Sequence, residues 1–317
     1  MITVDALIVG GGPAGAACAW RLKQNNFNCL VLDRAVFPRS KPCAGWITPS
    51  VFKSLQTTPE NYPHNLTRFE SFQVSIRGLR FVLPTQQYAI RRIEFDAWLL
   101  AYASAELKLH NVNTIEKCGE SYVIDGQYQG KYLVGAGGTH CPVHRTFFNR
   151  ETIINRKRLI IAKEEEFSYS VSEDRCFLWF FEDGLPGYAW YVPKVGGILN
   201  VGIGAGAERL KRKGKTLKSY WLKHIKKLRT MGLIEGHSFA PSGYSYYLRQ
   251  DSYPLRMDNA FLIGDALGLA TRDMGEGIGP SIQSGLLAAD AIIQGIDYSI
   301  SSIPRFSFPS LLNMKRE

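Results

Sequence analysis

Four groups of residues in this chain have the types and spacing to do chemistry. The first is Gly10-x-Gly12-x-x-Gly15, with Asp33 lying 18 positions past the last glycine. Gly10 permits a tight turn, Gly12 lets the backbone approach a pyrophosphate, and Gly15 lets a helix pack close to a strand. A helix opening at Pro13 and Ala14 offers unpaired N–H groups and a positive dipole end to phosphates. Asp33, followed by Arg34, is placed to accept from ribose hydroxyls. The second group is Gly264-Asp265 and the loop "MGEGIGP", with Gly275, Gly277 and Ile278. An acid directly after an apolar strand suits a ligand hydroxyl. So many glycines suit a backbone pressed against a flat ring. The third is Cys43, alone in the loop "PRSKPCAGW" at 38–46, where Pro38, Pro42 and Gly45 exclude regular structure. The fourth is "YAWYVP", where strand alternation puts Tyr188, Trp190 and Val192 on one face.

The elements needed to position these groups follow from the pattern around them. An apolar strand at Ala6–Val9, an Ala-rich helix from Pro13 to about Gln24 and a second strand in "NCLVLD" (28–33) frame the first glycines. A short strand precedes Asp265, and a Gly/Ala-rich helix follows it. Between these ends the chain is strand-rich. "SFQVSIRGLRFVLP" (71–84) reads as a hairpin, and "RLIIAKEEEF", "RCFLWFFE", "YAWYVP" and "ILNVGIGA" read as strands. The expected fold is α/β: a discontinuous Rossmann-type nucleotide-binding domain at 1–57, 86–150 and 253–298. A mainly β substrate domain is inserted at 58–85 and 151–252, and 299–317 is a short tail.

Composition narrows the class. The 317 residues are 45% hydrophobic and 21% charged, ordinary for a globular protein. No apolar run approaches the roughly 20 residues of a membrane-spanning helix, and the N-terminus lacks the basic region and cleavage site of a signal peptide. Six scattered cysteines with no Cys-x-x-Cys argue against a disulfide framework and an iron–sulfur cluster, so the chain reads as cytoplasmic with reduced thiols. "HCPVH" (140–144) makes a poor zinc site, and no metal is expected. The net charge is +10, and residues 209–229 hold ten Lys/Arg without one Asp/Glu. No nucleic-acid-binding motif accompanies that charge, so no nucleic-acid partner is expected.

The Gly-Asp pair and the Gly-Glu-Gly-Ile after it resemble the FAD segment of the p-hydroxybenzoate-hydroxylase-type flavoproteins. The resemblance implies FAD as cofactor. Asp265, with Gly264, would meet the ribityl chain, while Gly275, Gly277 and Ile278 lie beside the flavin ring and pyrophosphate. Arg92-x-x-Phe95-Asp96-x-x-Leu99 matches a further family pattern whose arginine contacts the cofactor. "GAGG" (135–138) resembles the family's Gly-Ala-Asp-Gly, with Gly137 in place of the acid; this puts direct use of NAD(P)H in doubt and admits a ferredoxin-type donor. Lys41, Cys43 and Gly45 match the Lys-x-Cys-Gly-Gly of the geranylgeranyl reductases, with Ala44 for the first glycine. In that family the loop lies by the flavin, with the cysteine near the substrate, so Lys41, Ala44 and Gly45 are read as cofactor contacts. Tyr188, Trp190, Pro193, Asn200, Val201 and Gly202 match its Tyr-x-Trp-x-Phe-Pro and Asn-Val-Gly segments, which line a prenyl cavity. The function so implied is reduction of carbon–carbon double bonds of a prenyl or other apolar substrate, with Cys43, Tyr188 and Trp190 as the catalytic candidates. The alternative is an FAD-dependent monooxygenase or a flavin halogenase; halogenases carry Trp-x-Trp where Tyr188 stands. The basic stretch 209–229 would suit peripheral contact with an anionic membrane or an acidic electron carrier.

Overall fold

A computed structural model describes residues 1–148, 155–250 and 254–308. Among these the chain divides into two compact units. One comprises 1–40, 93–148, 247–250 and 254–307; the other comprises 41–92, 155–246 and 308.

The first unit is built on a twisted sheet whose order runs Arg256–Met257, Ala260–Leu262, Tyr128–Gly135, Ile2–Val9, Cys29–Asp33, Glu106–Leu109. The four pairings from Ala260–Leu262 through to Glu106–Leu109 are parallel. Strands covered on both faces read as continuous apolar runs, and Ala6 to Val9 and Cys29 to Leu32 are all buried. The antiparallel strands Ile115–Cys118 and Ser121–Ile124 extend from Tyr128–Gly135. Helices Pro13–Gln24 and Ile278–Gln294 pack together through small residues. A Cβ on Gly285 would lie 2.2 Å from the Ala14 carbonyl oxygen, so only glycine allows the approach. An ion pair from Arg21 Nε to Asp290 Oδ1, 2.7 Å, ties the same helices. This is the doubly wound α/β arrangement expected. Residues 298–307 belong to it rather than trailing as a tail: the buried Tyr298 hydroxyl donates to Leu262 O at 3.0 Å.

The second unit is mainly β, an eight-stranded sheet ordered Ser242–Tyr247, Leu159–Ser168, Ile198–Gly206, Gly187–Lys194, Cys176–Phe180, Thr67–Ile76, Leu79–Ala89, Trp46–Ile47. Thr67–Ile76 and Leu79–Ala89 form the hairpin, turning at Arg77 and Gly78, both at positive φ. Trp46–Ile47 pairs antiparallel with Tyr88 and Ala89, so 41–57 and 86–92 group with this unit, not with the nucleotide-binding unit as the sequence pattern suggested. Ala189, Tyr191, Val201 and Ile203 pack against the apolar stripe of helix Leu217–Thr230, which comprises Leu217, Tyr220, Trp221, Ile225 and Leu228. The opposite face of the same strands carries Tyr188 and Trp190.

Candidate functional site

The nucleotide cradle lies in the first unit. Gly10 sits at φ +114, and a Cβ there would come within 2.4 Å of the Ala136 carbonyl oxygen. A Cβ on Gly15 would lie 1.9 Å from Gly10 O, so the helix can approach the strand this closely only with glycine at both places. Gly12 differs: only Arg39 Nη2, at 3.5 Å, lies within reach of its missing Cβ. Gly12 is also the N-cap of helix Pro13–Gln24 and makes no side-chain cap bond, which leaves the first helical N–H groups for a ligand. Asp33 braces this turn. Its Oδ2 accepts from Gly11 N at 2.7 Å and its Oδ1 from Ala35 N at 2.9 Å. Arg39 pairs with the fully buried Asp96, Nη2 to Oδ2 3.2 Å, which holds a cation beside Gly12.

A second uncapped helix start lies in the same unit. Gly277 is the N-cap of Ile278–Gln294 and makes no side-chain cap bond. Gly264 and Gly275 sit at φ +62 and +65. Asp265 Oδ1 lies 3.6 Å from where a Gly277 Cβ would be, so carboxylate and bare helix start are neighbours. Two glycine-opened helix starts, each with an acid close by, are the donor and acceptor set of a dinucleotide. Such a set has the chemistry to hold FAD, with bare N–H groups at Gly12–Ala14 and Gly277 for phosphates and carboxylates at Asp33 and Asp265 for hydroxyls. Arg34 follows Asp33 at the strand end. Arg92 opens helix Arg92–Ala103 and is buried.

The remaining candidates lie in the second unit, on one face of its sheet. Across three strands Glu164, Gly202 and Trp190 form a row. A Cβ on Gly202 would lie 2.1 Å from Trp190 Cζ2 and 2.8 Å from Glu164 Cβ. Gly202 thus makes room for the indole. Trp190 Nε1 donates to Asn200 Oδ1 at 2.7 Å. Tyr188 and Trp46 join it, with ring centroids 5.6 Å from Trp190 to Tyr188 and 6.4 Å from Trp46 to Tyr188. The result is an aromatic surface in which the Trp190 N–H is satisfied.

The Cys43 loop is fastened to this face. The Cys43 amide donates to Glu164 Oε1, and Asn200 Nδ2 donates at 3.4 Å to both Cys43 O and Glu164 Oε1. Gly45, at φ +81, closes against Ile90, whose carbonyl oxygen would stand 2.1 Å from a Cβ. Ala44 is not among the positive-φ residues, so the alanine that departs from the family pattern is accommodated. Lys41 is held by Tyr244, Nζ to the hydroxyl 2.7 Å. Lys194 Nζ donates to Ile90 O at 2.9 Å and to Glu166 Oε2 at 2.6 Å, and Arg91 completes the Glu166 pair at 2.9 Å. Burial works against charge on Glu166, yet Lys194 and Arg91 hold its carboxyl below the ordinary range. Burial pushes the Glu164 carboxyl up to about 7, with Lys194 pulling the other way.

The sequence motifs had not singled out Glu164, Trp46 or Arg39. Glu164 lies inside "KEEEF", where alternation in a strand separates 164 and 166 from 165. Two acids on one inward face were the available signal. Trp46 ends the quoted cysteine loop, and its company is set by strand pairing to Tyr88 and Ala89, which sequence spacing does not reveal.

A family described as an NAD(P)-binding Rossmann-like domain matches residues 8–40. An uncharacterized protein of Methanosarcina barkeri is 32% identical, covering 93% of this chain and 76% of its own. Menaquinone reductase of Mycobacterium tuberculosis is 27% identical over 92% of this chain and 76% of its own. Digeranylgeranylglycerophospholipid reductase 1 of Methanopyrus kandleri is 24% identical over 95% and 84%. Among solved structures, a geranylgeranyl bacteriochlorophyll reductase-like protein of Thermoplasma acidophilum superposes with a TM-score of 0.80 at 22% identity, covering 94% of this chain and 81% of that one. A flavin-dependent brominase gives 0.73 at 20% identity over 94% and 81%. At these identities the two structures speak for the fold alone.

Proposed function

Because the chain belongs to the geranylgeranyl reductase family of flavoprotein oxidoreductases, we propose that it reduces isolated carbon–carbon double bonds in a prenyl or similarly apolar chain, with FAD as resident cofactor. The observation that carries this reading is the aromatic face of the second unit. Trp190 laid over Gly202, with Tyr188 and Trp46 against it, is a surface for an apolar chain, and the Cys43 loop is tied to that same face.

Reduced FAD, when bound, supplies the hydride. Gly12 to Gly15 and the two helix starts would hold its phosphates, and Asp33 and Asp265 its hydroxyls. An unactivated alkene develops no oxyanion, so the protein must contribute orientation, exclusion of water and a proton. The aromatic surface orients and dries the chain. Cys43 and Tyr188 are proposed to pass the proton to the neighbouring carbon. Gly137, where related flavoproteins carry an acid, favours an acidic protein donor such as a ferredoxin over direct NAD(P)H. Among the described residues no helix is long and apolar enough to cross a membrane. The exposed cations of 209–229 are proposed to rest on an anionic membrane surface, where a prenyl lipid would be met.

The test is anaerobic. Adding a prenyl lipid to FAD-loaded protein reduced with dithionite should restore the absorbance of oxidised flavin near ~450 nm. A spectrum that stays bleached with every prenyl lipid tried refutes the reading.

A further inference from the structure

Glu164 has a place that packing alone does not explain. It is 4% exposed, in the middle of strand Leu159–Ser168. An amide or an apolar side chain would fill the space beside Gly202 without the desolvation penalty of a carboxyl. Lys194, whose charge acts on this carboxyl, gives its hydrogen bonds to Glu166 and Ile90. Instead, among the described residues, the carboxyl is met by two donors, the Cys43 amide and Asn200 Nδ2. Asn200 also holds Cys43 O and receives the indole N–H of Trp190, so one asparagine joins carboxyl, cysteine loop and aromatic surface. The Cys43 sulfur in turn accepts from Gly45 N at 3.4 Å.

We propose that Glu164 is a positioning residue for Cys43, its carboxyl fixing the loop through the Cys43 amide and Asn200 and setting the reactivity of the thiol. This rests on reading Cys43 as a group of the reductase site. The charges facing Glu164 are Lys194 and Glu166 on the same face, with Arg91 bound to Glu166; Lys41 in the cysteine loop is held by Tyr244, and Glu165 points away to His237. Burial brings the Glu164 carboxyl to about 7. Below that pH it is neutral and leaves the neighbouring thiol alone. Above it, the carboxylate that accepts from the Cys43 amide puts a negative charge beside the loop, which slows reaction at the thiol.

Alkylation with iodoacetamide, read peptide by peptide by mass spectrometry, tests this on the full chain as purified and again with added FAD. Cys118 is exposed and serves as the internal reference, while Cys18, Cys29, Cys141 and Cys176 are buried and report unfolding. In the wild type, the Cys43 rate should climb less steeply than the Cys118 rate as pH passes 7. In Glu164→Gln, Cys43 should react roughly three- to tenfold faster than wild type above pH 8 and equally below pH 6, the effect of removing one nearby charge. Glu164→Asp should keep the wild-type inflection. Superimposed wild-type and Gln profiles overturn the proposal. If the Gln variant does not fold, a wild-type Cys43 profile parallel to that of Cys118 overturns it equally. The assay needs no substrate, so its failure leaves the prenyl-reductase reading standing. A chain that shows the inflection yet reduces no prenyl bond sinks that reading and not the thiol effect.

Discussion

Replacing Gly202 with alanine should dislodge Trp190 while leaving the nucleotide cradle intact. The added methyl would stand 2.1 Å from Trp190 Cζ2, 2.3 Å from Cε2 and 2.8 Å from Glu164 Cβ, distances no packing tolerates. The strand is paired on both sides, to Glu164 and to Trp190, so its backbone cannot retreat. The indole must leave. Overpacking of this kind costs about 1–3 kcal/mol, and the lost bond from Trp190 to Asn200 about 1 kcal/mol more. A loss of roughly 2–4 kcal/mol in a unit of this size lowers the unfolding midpoint by about 5–15 °C. Thermal unfolding followed by tryptophan fluorescence gives the shift. Retained flavin absorbance after desalting shows the cradle unharmed. Shrinking the indole should relieve the clash, so Gly202→Ala with Trp190→Ala should be less destabilised than the sum of the single variants. A Gly202→Ala protein with an unchanged midpoint, or a double variant that is merely additive, would refute the packing argument.

Three further outcomes are expected. Asp265→Ala should weaken FAD binding by about 1.5–3 kcal/mol, the range for a hydrogen bond to a charged group, read as the Kd for FAD titrated into apoprotein; an unchanged Kd removes Asp265 from the cofactor site. Changing the exposed Lys218, Lys223, Lys226 and Arg229 to glutamine should reduce sedimentation with anionic vesicles on the order of a hundred- to a thousandfold, at ~1 kcal/mol per charge, and equal binding leaves that face as a solubilising surface. Lys227 is excluded from this set because Glu182 already pairs with it. The third concerns acid stability. Burial lowers the His224 imidazole from 6.5 to about 4, so between these values the unfolded chain binds the proton and the folded chain does not. Stability should fall as pH drops through that window, and His224→Asn should lessen the slope of midpoint against pH; identical slopes refute the assignment.

How much was legible in sequence differs by region. The positions of the glycines at 10, 12 and 15 and of the acids at 33 and 265 were legible because local turns at strand ends are encoded in spacing. The alternation of Tyr188 and Trp190 was legible for the same reason. The membership of 41–57 was not: a two-residue strand, Trp46–Ile47, decides it by pairing with residues 41 and 43 positions away. Glu164 was hidden in the same manner. Its meaning comes from Cys43, 121 positions earlier, and from Gly202 on the next strand, and no local period links the three. The basic run 209–229 was legible as a charged stretch, but its division by Gly214 into the helices Ala207–Arg212 and Leu217–Thr230 was not.

The central claim, saturation of a carbon–carbon double bond, is tested most directly by the mass of the product. Reduced, FAD-loaded protein incubated under nitrogen in heavy water with a polyunsaturated prenyl lipid should yield lipid carrying two added deuterons for each bond reduced, one from the hydride position and one from the proton donor. The same incubation under air should add no oxygen. Lipid of unchanged mass under nitrogen, together with a product gaining one oxygen atom under air, would contradict the reductase account and assign the chain to the monooxygenases that share its fold.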